Sequence, residues 1–230
     1  MQAGATGVDD VLAGPDNFFE AFHPKNDVSL LTEKLGERYE VTRIQVKKWT
    51  VGSPIQAPLD ALDAMLKKRP FTADQVKQVT IRVATNEAKI VDNREIPDIC
   101  LQHMIAVMLL DRTAGVASAH DVARMKDPAV LKNRAKVKLI GDDELERRMP
   151  AREAIVELEL TDGTKLTEHI TAVRGTPESP MTRQEIVAKA RDLIAPVLGT
   201  QTFNRLSEKV FAVEEVKDIL EFRPLLQLSE

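Results

Sequence analysis

The sequence predicts an α+β fold, and three observations carry that prediction. Residues 154–173, AIVELELTDGTKLTEHITAV, contain two alternating apolar runs joined at Asp162-Gly163, a pair suited to the positive φ angles of a tight hairpin turn. Ile55, Leu59, Leu62 and Leu66 follow one another at spacings of four, three and four, which is one helical stripe. The order of elements, strand, helix, strand, helix, then a meander, then helices, gives an α+β middle with helical ends.

Taken in order, residues 1–24 are rich in Gly and Ala and carry an apolar cluster, Phe18, Phe19 and Phe22, with little nearby to bury it. Residues 39–47 alternate as a strand: Ile44 and Val46 share one face, and Tyr39, Val41, Gln45 and Lys47 the other. Gly52-Ser53-Pro54 reads as turn, N-cap and first helical position of the striped helix. After the connector Phe71-Thr72-Ala73-Asp74, Val79, Ile81 and Val83 alternate as a second strand. Pro97 opens a second helix that ends in the region 111–115.

Residues 119–132 suggest one or two short helical turns broken near Asp127-Pro128, and residues 136–140 a short strand ahead of the hairpin. A loop over 175–180 contains the breakers Pro177 and Pro180. Thr182 and Glu185 then form a capping-box pattern for a helix running to about Leu198, and residues 201–220 continue mostly helical. No internal repeat or low-complexity segment is present.

With 230 residues, 43% hydrophobic, the chain can bury a substantial core. The net charge of −4, with both signs interspersed, gives no electrostatic reason to expect nucleic acid. The densest basic run, Lys67-Lys68-Arg69, falls at a predicted helix C-terminus, where cations complement the dipole. A single cysteine, Cys100, excludes an intrachain disulfide and fits a reducing compartment. The longest apolar run, residues 104–110, is far short of the ~20 residues a spanning helix needs. The first ten residues have neither the basic head nor the apolar core of a signal peptide. A soluble cytoplasmic protein is expected.

Two ionisable side chains sit where an apolar pattern alone would not put them. Lys47 ends the predicted strand just before a helix whose free backbone N–H groups favour an anion, although a solvated surface lysine is the plainer alternative. His103 shares its helical face with Ile99, Ala106, Val107 and Leu110, so spacing alone balances a proton-transfer histidine against a core one. An amine and an imidazole suffice to hold a carboxylate and move a proton. His120 reads as a cap or surface residue, His23 and His169 as solvated, and Cys100 as a small apolar filler. No metal-ligand spacing, phosphate loop or nucleophile elbow is present, so neither metal nor cofactor is expected.

Several blocks in succession resemble the MmgE/PrpD family, which includes 2-methylcitrate dehydratase, cis-aconitate decarboxylase and iminodisuccinate epimerase. They are GATGVDDVLAGPDNFFEAF, VTRIQVKKW…APLDAL, DICLQHMIAVMLLD, GVASAHDVARMKDPAV and ELTDGTKL…RGTPESPMTRQEIVAKA. The resemblance implies a remnant of a large helical domain at 1–24, a small α+β domain at 25–178, and C-terminal helices at 179–230 returning to the helical domain. It places Lys47 at the family's small-domain lysine, and His103 where members carry an aromatic residue or histidine. Where many members have an arginine and a histidine after the lysine, this chain has Ser53 and Gln56, both expected to contact substrate.

The implied activity is that of a cofactor-free lyase or isomerase on a small polycarboxylate, dehydratase-like, with epimerisation or decarboxylation as alternatives. Catalysis is assigned to Lys47 and His103, and substrate binding to Lys47, Ser53 and Gln56. The resemblance further implies that the helical half is missing. The chain alone is then expected to be inactive, a separately produced domain or subunit, with self-association as a homodimer covering its apolar surface. A ligand-binding module without catalysis is a third option.

Overall fold

The computed structural model describes Gly4, Gly7 and residues 11–14, 17–22 and 27–228, without the side chains of Phe22 and Val28. The chain divides into two compact units, Met1–Arg43 and Ile44–Glu230. In the first, helix α1 spans Phe18–Phe22, and the Phe18 and Phe19 rings meet edge to face at 5.7 Å. Single 3₁₀ turns follow at Val28–Leu31, capped by the Asp27 carboxylate, and at Glu40–Arg43. His23 lies outside the described residues.

The predicted strand over residues 39–47 is not formed. Tyr39 C=O accepts the Thr42 N–H at 3.0 Å in the Glu40–Arg43 turn, and the chain then runs irregularly to Val51. Alternation makes a strand only where a partner ladder exists, and Tyr39, Val41 and Ile44 are all exposed instead of packed on a sheet.

The second unit is a two-layer α+β domain. Helix α2 (Ser53–Lys68) leads through a 3₁₀ turn to strand β1 (Val76–Ala84) and helix α3 (Thr85–Val91). The 3₁₀ turn Pro97–Ile99 precedes α4 (Leu101–Asp111), followed by α5 (Val116–His120), another turn and α6 (Pro128–Arg134). Then come β2 (Val137–Asp142), α7 (Asp143–Arg147) and the hairpin β3 (Ala154–Leu160) with β4 (Lys165–Ile170). Helices α8 (Arg183–Leu198) and α9 (Thr200–Phe211) and two 3₁₀ turns close the described chain.

The sheet order is β2-β1-β3-β4, with β1 and β2 parallel and the other pairs antiparallel. A parallel pair needs a long crossover, supplied here by the segment carrying α3 to α6. Period-two alternation aims Val79, Ile81 and Val83 of β1, and Val156, Leu158 and Leu160 of β3, into the core. Glu157 stays exposed on the other face. Helix α2 packs on β3 and β4, and α4 packs between α2, α6 and β2. Residues Leu101–Leu109 of α4 are all buried, as expected of a helix that is apolar all round.

Sequence cues hold closely at several termini. The Thr182/Glu185 capping box forms in both directions, at 3.2 and 2.7 Å, and α8 ends at Leu198 before Gly199 at φ +80°. Gly163 takes φ +84° in the hairpin turn. Pro97 opens only the 3₁₀ turn, and α4 begins at Leu101. Helices α3 and α7, of seven and five residues, are too short to show a periodic stripe. Among the described residues, no helix is long and apolar enough to cross a membrane.

Candidate functional site

The site is built on the first turns of α2. Gln56 and Asp60 stand one turn apart on the same helical face and grip the irregular segment before the helix. Gln56 Oε1 accepts the Trp49 N–H at 3.1 Å, while its Nε2 donates to the carbonyls of Trp49 (2.8 Å) and Val51 (3.1 Å). Asp60 accepts the Trp49 indole N–H at 2.9 Å and the Arg174 backbone N–H at 2.8 Å. Lys48 lies 3.7 Å from Asp60, 2.7 Å from Asp63 and 4.2 Å from the centre of the Trp49 ring. Burial raises the Asp60 pKa, and the Arg174 N–H, Lys48 and the indole oppose that.

Asp60→Asn is therefore expected to cost about 1–2 kcal/mol, because an amide keeps one acceptor and turns a donor toward the other N–H. Urea denaturation checks this, and an unchanged midpoint would refute the clamp.

A second seam fixes the same segment from the other side. The Val46 N–H donates to Gly175 C=O at 2.9 Å, and the Gly175 N–H donates to Ser179 C=O at 2.7 Å. Gly175 has φ +100°, and a Cβ there would lie 1.8 Å from the Val46 oxygen, so only glycine fits. From α8, the Lys189 ammonium donates to the Lys47 carbonyl. Glu185 takes the Arg174 guanidinium in two bonds of 3.1 and 2.6 Å. Arg174 is the main reason that the Glu185 pKa falls to about 2.

These segments enclose a cavity of about 590 Å³. Lys47, Ser53 and Gln56 line it from the start of α2, and Arg148 and Arg152 from the connection between α7 and β3. Arg174 and Thr176 line it from the segment after β4. Four cationic side chains thus face one carboxylate, Glu178, among the lining residues. Arg148 and Arg152 pair with Glu153 and Glu87, but Lys47 has no carboxylate partner among the described residues. Its ammonium donates to Val51 C=O at 3.2 Å. The Gln56 amide is consumed by the backbone, so its role in this geometry is to place the loop that carries Lys47.

The structure brings Lys47, Ser53 and Gln56 to one cavity and leaves His103 outside it. The amine and the imidazole expected to carry catalysis therefore do not meet at one cavity. Helix α4 is the central buried helix, and His103 is 0% exposed, with neither ring nitrogen hydrogen-bonded among the described residues. Burial, then the nearby Arg134 and Arg124, lower the imidazole's affinity for a proton, and Asp121 opposes them weakly.

The other two described histidines have partners: His120 Nδ1 lies 2.9 Å from Val116 C=O, and His169 Nε2 lies 2.7 Å from Glu153. Burial raises the Cys100 thiol pKa. No group of three or more His, Cys, Asp or Glu that could hold a metal ion occurs among the described residues.

Sequence reasoning missed Asp60, Arg148, Arg152, Arg174 and Gly175. The arginines carry no local signal, because their meeting with Lys47 depends on the long crossover and the hairpin. Gly175, in RGTPESP, could have been read as a turn glycine.

A two-layer α+β domain with a cation-lined cavity at the start of its first long helix defines the class. The chain belongs to the MmgE/PrpD family: a family model of the MmgE/PrpD C-terminal domain matches residues 49–214. Lys47 stands two positions before the matched span. No match was found among curated proteins.

Proposed function

We propose that this chain is the substrate-binding C-terminal part of a lyase or isomerase acting on a small polycarboxylate. The observation that carries the reading is the Lys47 ammonium, which lines the cavity without a carboxylate partner among the described residues, beside three arginines each paired with an acid. An ammonium without a carboxylate partner close to a helix N-terminus favours an anion, since both its charge and the positive end of the helix dipole attract negative charge. The chemistry is dehydratase-like: removal of a proton next to a carboxylate, then loss of water. Epimerisation shares the first step.

Lys47 would hold a carboxylate and stabilise the charge that develops on it when the neighbouring proton leaves. In this reading the groups that move the proton come from the helical half that the family resemblance implies. The cavity wall carries no imidazole among the described residues, and His103 is sealed in the core.

Citrate is expected to bind the chain at low ionic strength, and Lys47→Ala to weaken it about ten- to a hundredfold. Loss of one charge-assisted hydrogen bond costs about 1.5–3 kcal/mol, and 1.4 kcal/mol corresponds to tenfold. Isothermal titration calorimetry reads the change, with a thermal melt as the folding control. Equal affinity in a folded variant would remove Lys47 from the site and end this reading.

A further inference from the structure

We infer that Arg148 and Arg152 form a second carboxylate subsite in the Lys47 cavity, so that the site selects ligands carrying at least two carboxylates. This rests on the reading that the cavity receives a polycarboxylate. Both arginines belong to the short connection between α7 and β3, and both line the cavity. Each is anchored by a buried acid. Arg148 Nη1 donates to Glu153 at 3.1 Å, and Arg152 Nη1 donates to Glu87. Glu153 and Glu87 are 8% and 4% exposed, and Glu153 also holds His169 Nε2.

A buried carboxylate is costly unless it is paired, and burial raises the Glu87 pKa against the pull of Arg152. Two such acids behind two neighbouring arginines serve to orient them. A guanidinium has five N–H donors in a fixed fork. One nitrogen of each fork is engaged by its anchor, and the half-exposed remainder can take a carboxylate edge on.

Thr176 adds a separate observation. It lines the same cavity, and its Oγ1 is buried without a hydrogen-bond partner among the described residues. Buried hydroxyls are rarely left so, and a turn of this side chain toward the cavity would give it a bound carboxylate as acceptor. Lys47 and the arginine pair come from separate segments of the cavity wall. A ligand bearing two carboxylates can engage both, and one with a single carboxylate engages only one at a time.

The test uses the 230-residue chain, with protein NMR titrations that read millimolar dissociation constants. Tricarballylate, which has three carboxylates and no hydroxyl, is compared with butyrate, which has one. The double variant Arg148→Lys and Arg152→Lys keeps both charges opposite Glu153 and Glu87 but removes the forks. It is expected to bind tricarballylate at least tenfold more weakly and butyrate less than about twofold more weakly, because a single carboxylate keeps the Lys47 seat. If the double variant does not fold, each single lysine variant is read the same way against a threefold loss.

Unchanged tricarballylate affinity in the lysine variants, with affinity lost in Lys47→Ala, overturns the subsite and leaves the cavity reading standing. Equal weakening of both anions also overturns it, since that would report a general field instead of a second seat. Failure of the unmodified chain to bind either anion removes the cavity reading, and the subsite with it.

Discussion

Gly175→Ala is expected to destabilise the domain by about 3–5 kcal/mol and to abolish anion binding. Two terms add. A non-glycine residue at φ +100° is strained by about 1–3 kcal/mol. A methyl group 1.8 Å from the Val46 carbonyl oxygen forces a backbone shift worth about as much again. That shift breaks the Val46 N–H bond to Gly175 C=O, so the segment carrying Lys47 loses its outer support. For a domain of this size the melting temperature should fall by roughly 10 °C. Circular dichroism melts check the stability, and citrate titration checks the site. A variant melting within a degree or two of the parent would show that this seam does not hold the wall.

His103→Leu is expected to stabilise the protein by about 1–3 kcal/mol near neutral pH, by removing two buried ring nitrogens that lack partners among the described residues. The pH dependence should change as well. Burial lowers the imidazole's pKa in the folded state, so below about 6.5 the unfolded chain takes up a proton that the folded chain refuses. Stability therefore falls as pH drops through that value, and the leucine variant should lack this limb. Glu185 acts in a separate window. Its folded pKa of about 2 contributes stability above the usual glutamate range that is lost as pH falls from about 4.5 toward 2. Urea midpoints from pH 5 to 8 decide the matter: parallel curves for variant and parent would mean that the ring is hydrogen-bonded in solution.

His103 also shows where the sequence stopped being informative. Its helical face, with Ala106 and Val107, was legible, and so was the balance between a core and a functional histidine. What tipped the geometry was the rest of α4. A helix apolar on every side sits in the middle of the domain, and a side chain on any of its faces is enclosed. The hairpin, the α2 stripe and the Thr182 cap were legible because each is a local pattern. The strand over residues 39–47 was misread because alternation cannot report whether a partner strand is available. Lys47 was found through local reasoning about a helix start, and its neighbours Arg148, Arg152 and Arg174 were not, because only the tertiary path brings residues about a hundred positions apart to one wall.

The parallel pairing of β1 with β2 bears on how this chain acquires its structure. The β3–β4 hairpin closes over a few residues, and β3 pairs with β1 in antiparallel fashion. Strand β2 reaches β1 only after an intervening stretch carrying four helices has been gathered in. Val79 of β1 pairs with Val137 in β2 and with Leu158 in β3, so both pairings close long loops and loop-closure entropy sets both behind the hairpin. Arg148 and Arg152 lie between β2 and β3, so their wall is in place only when both of these strands have found β1.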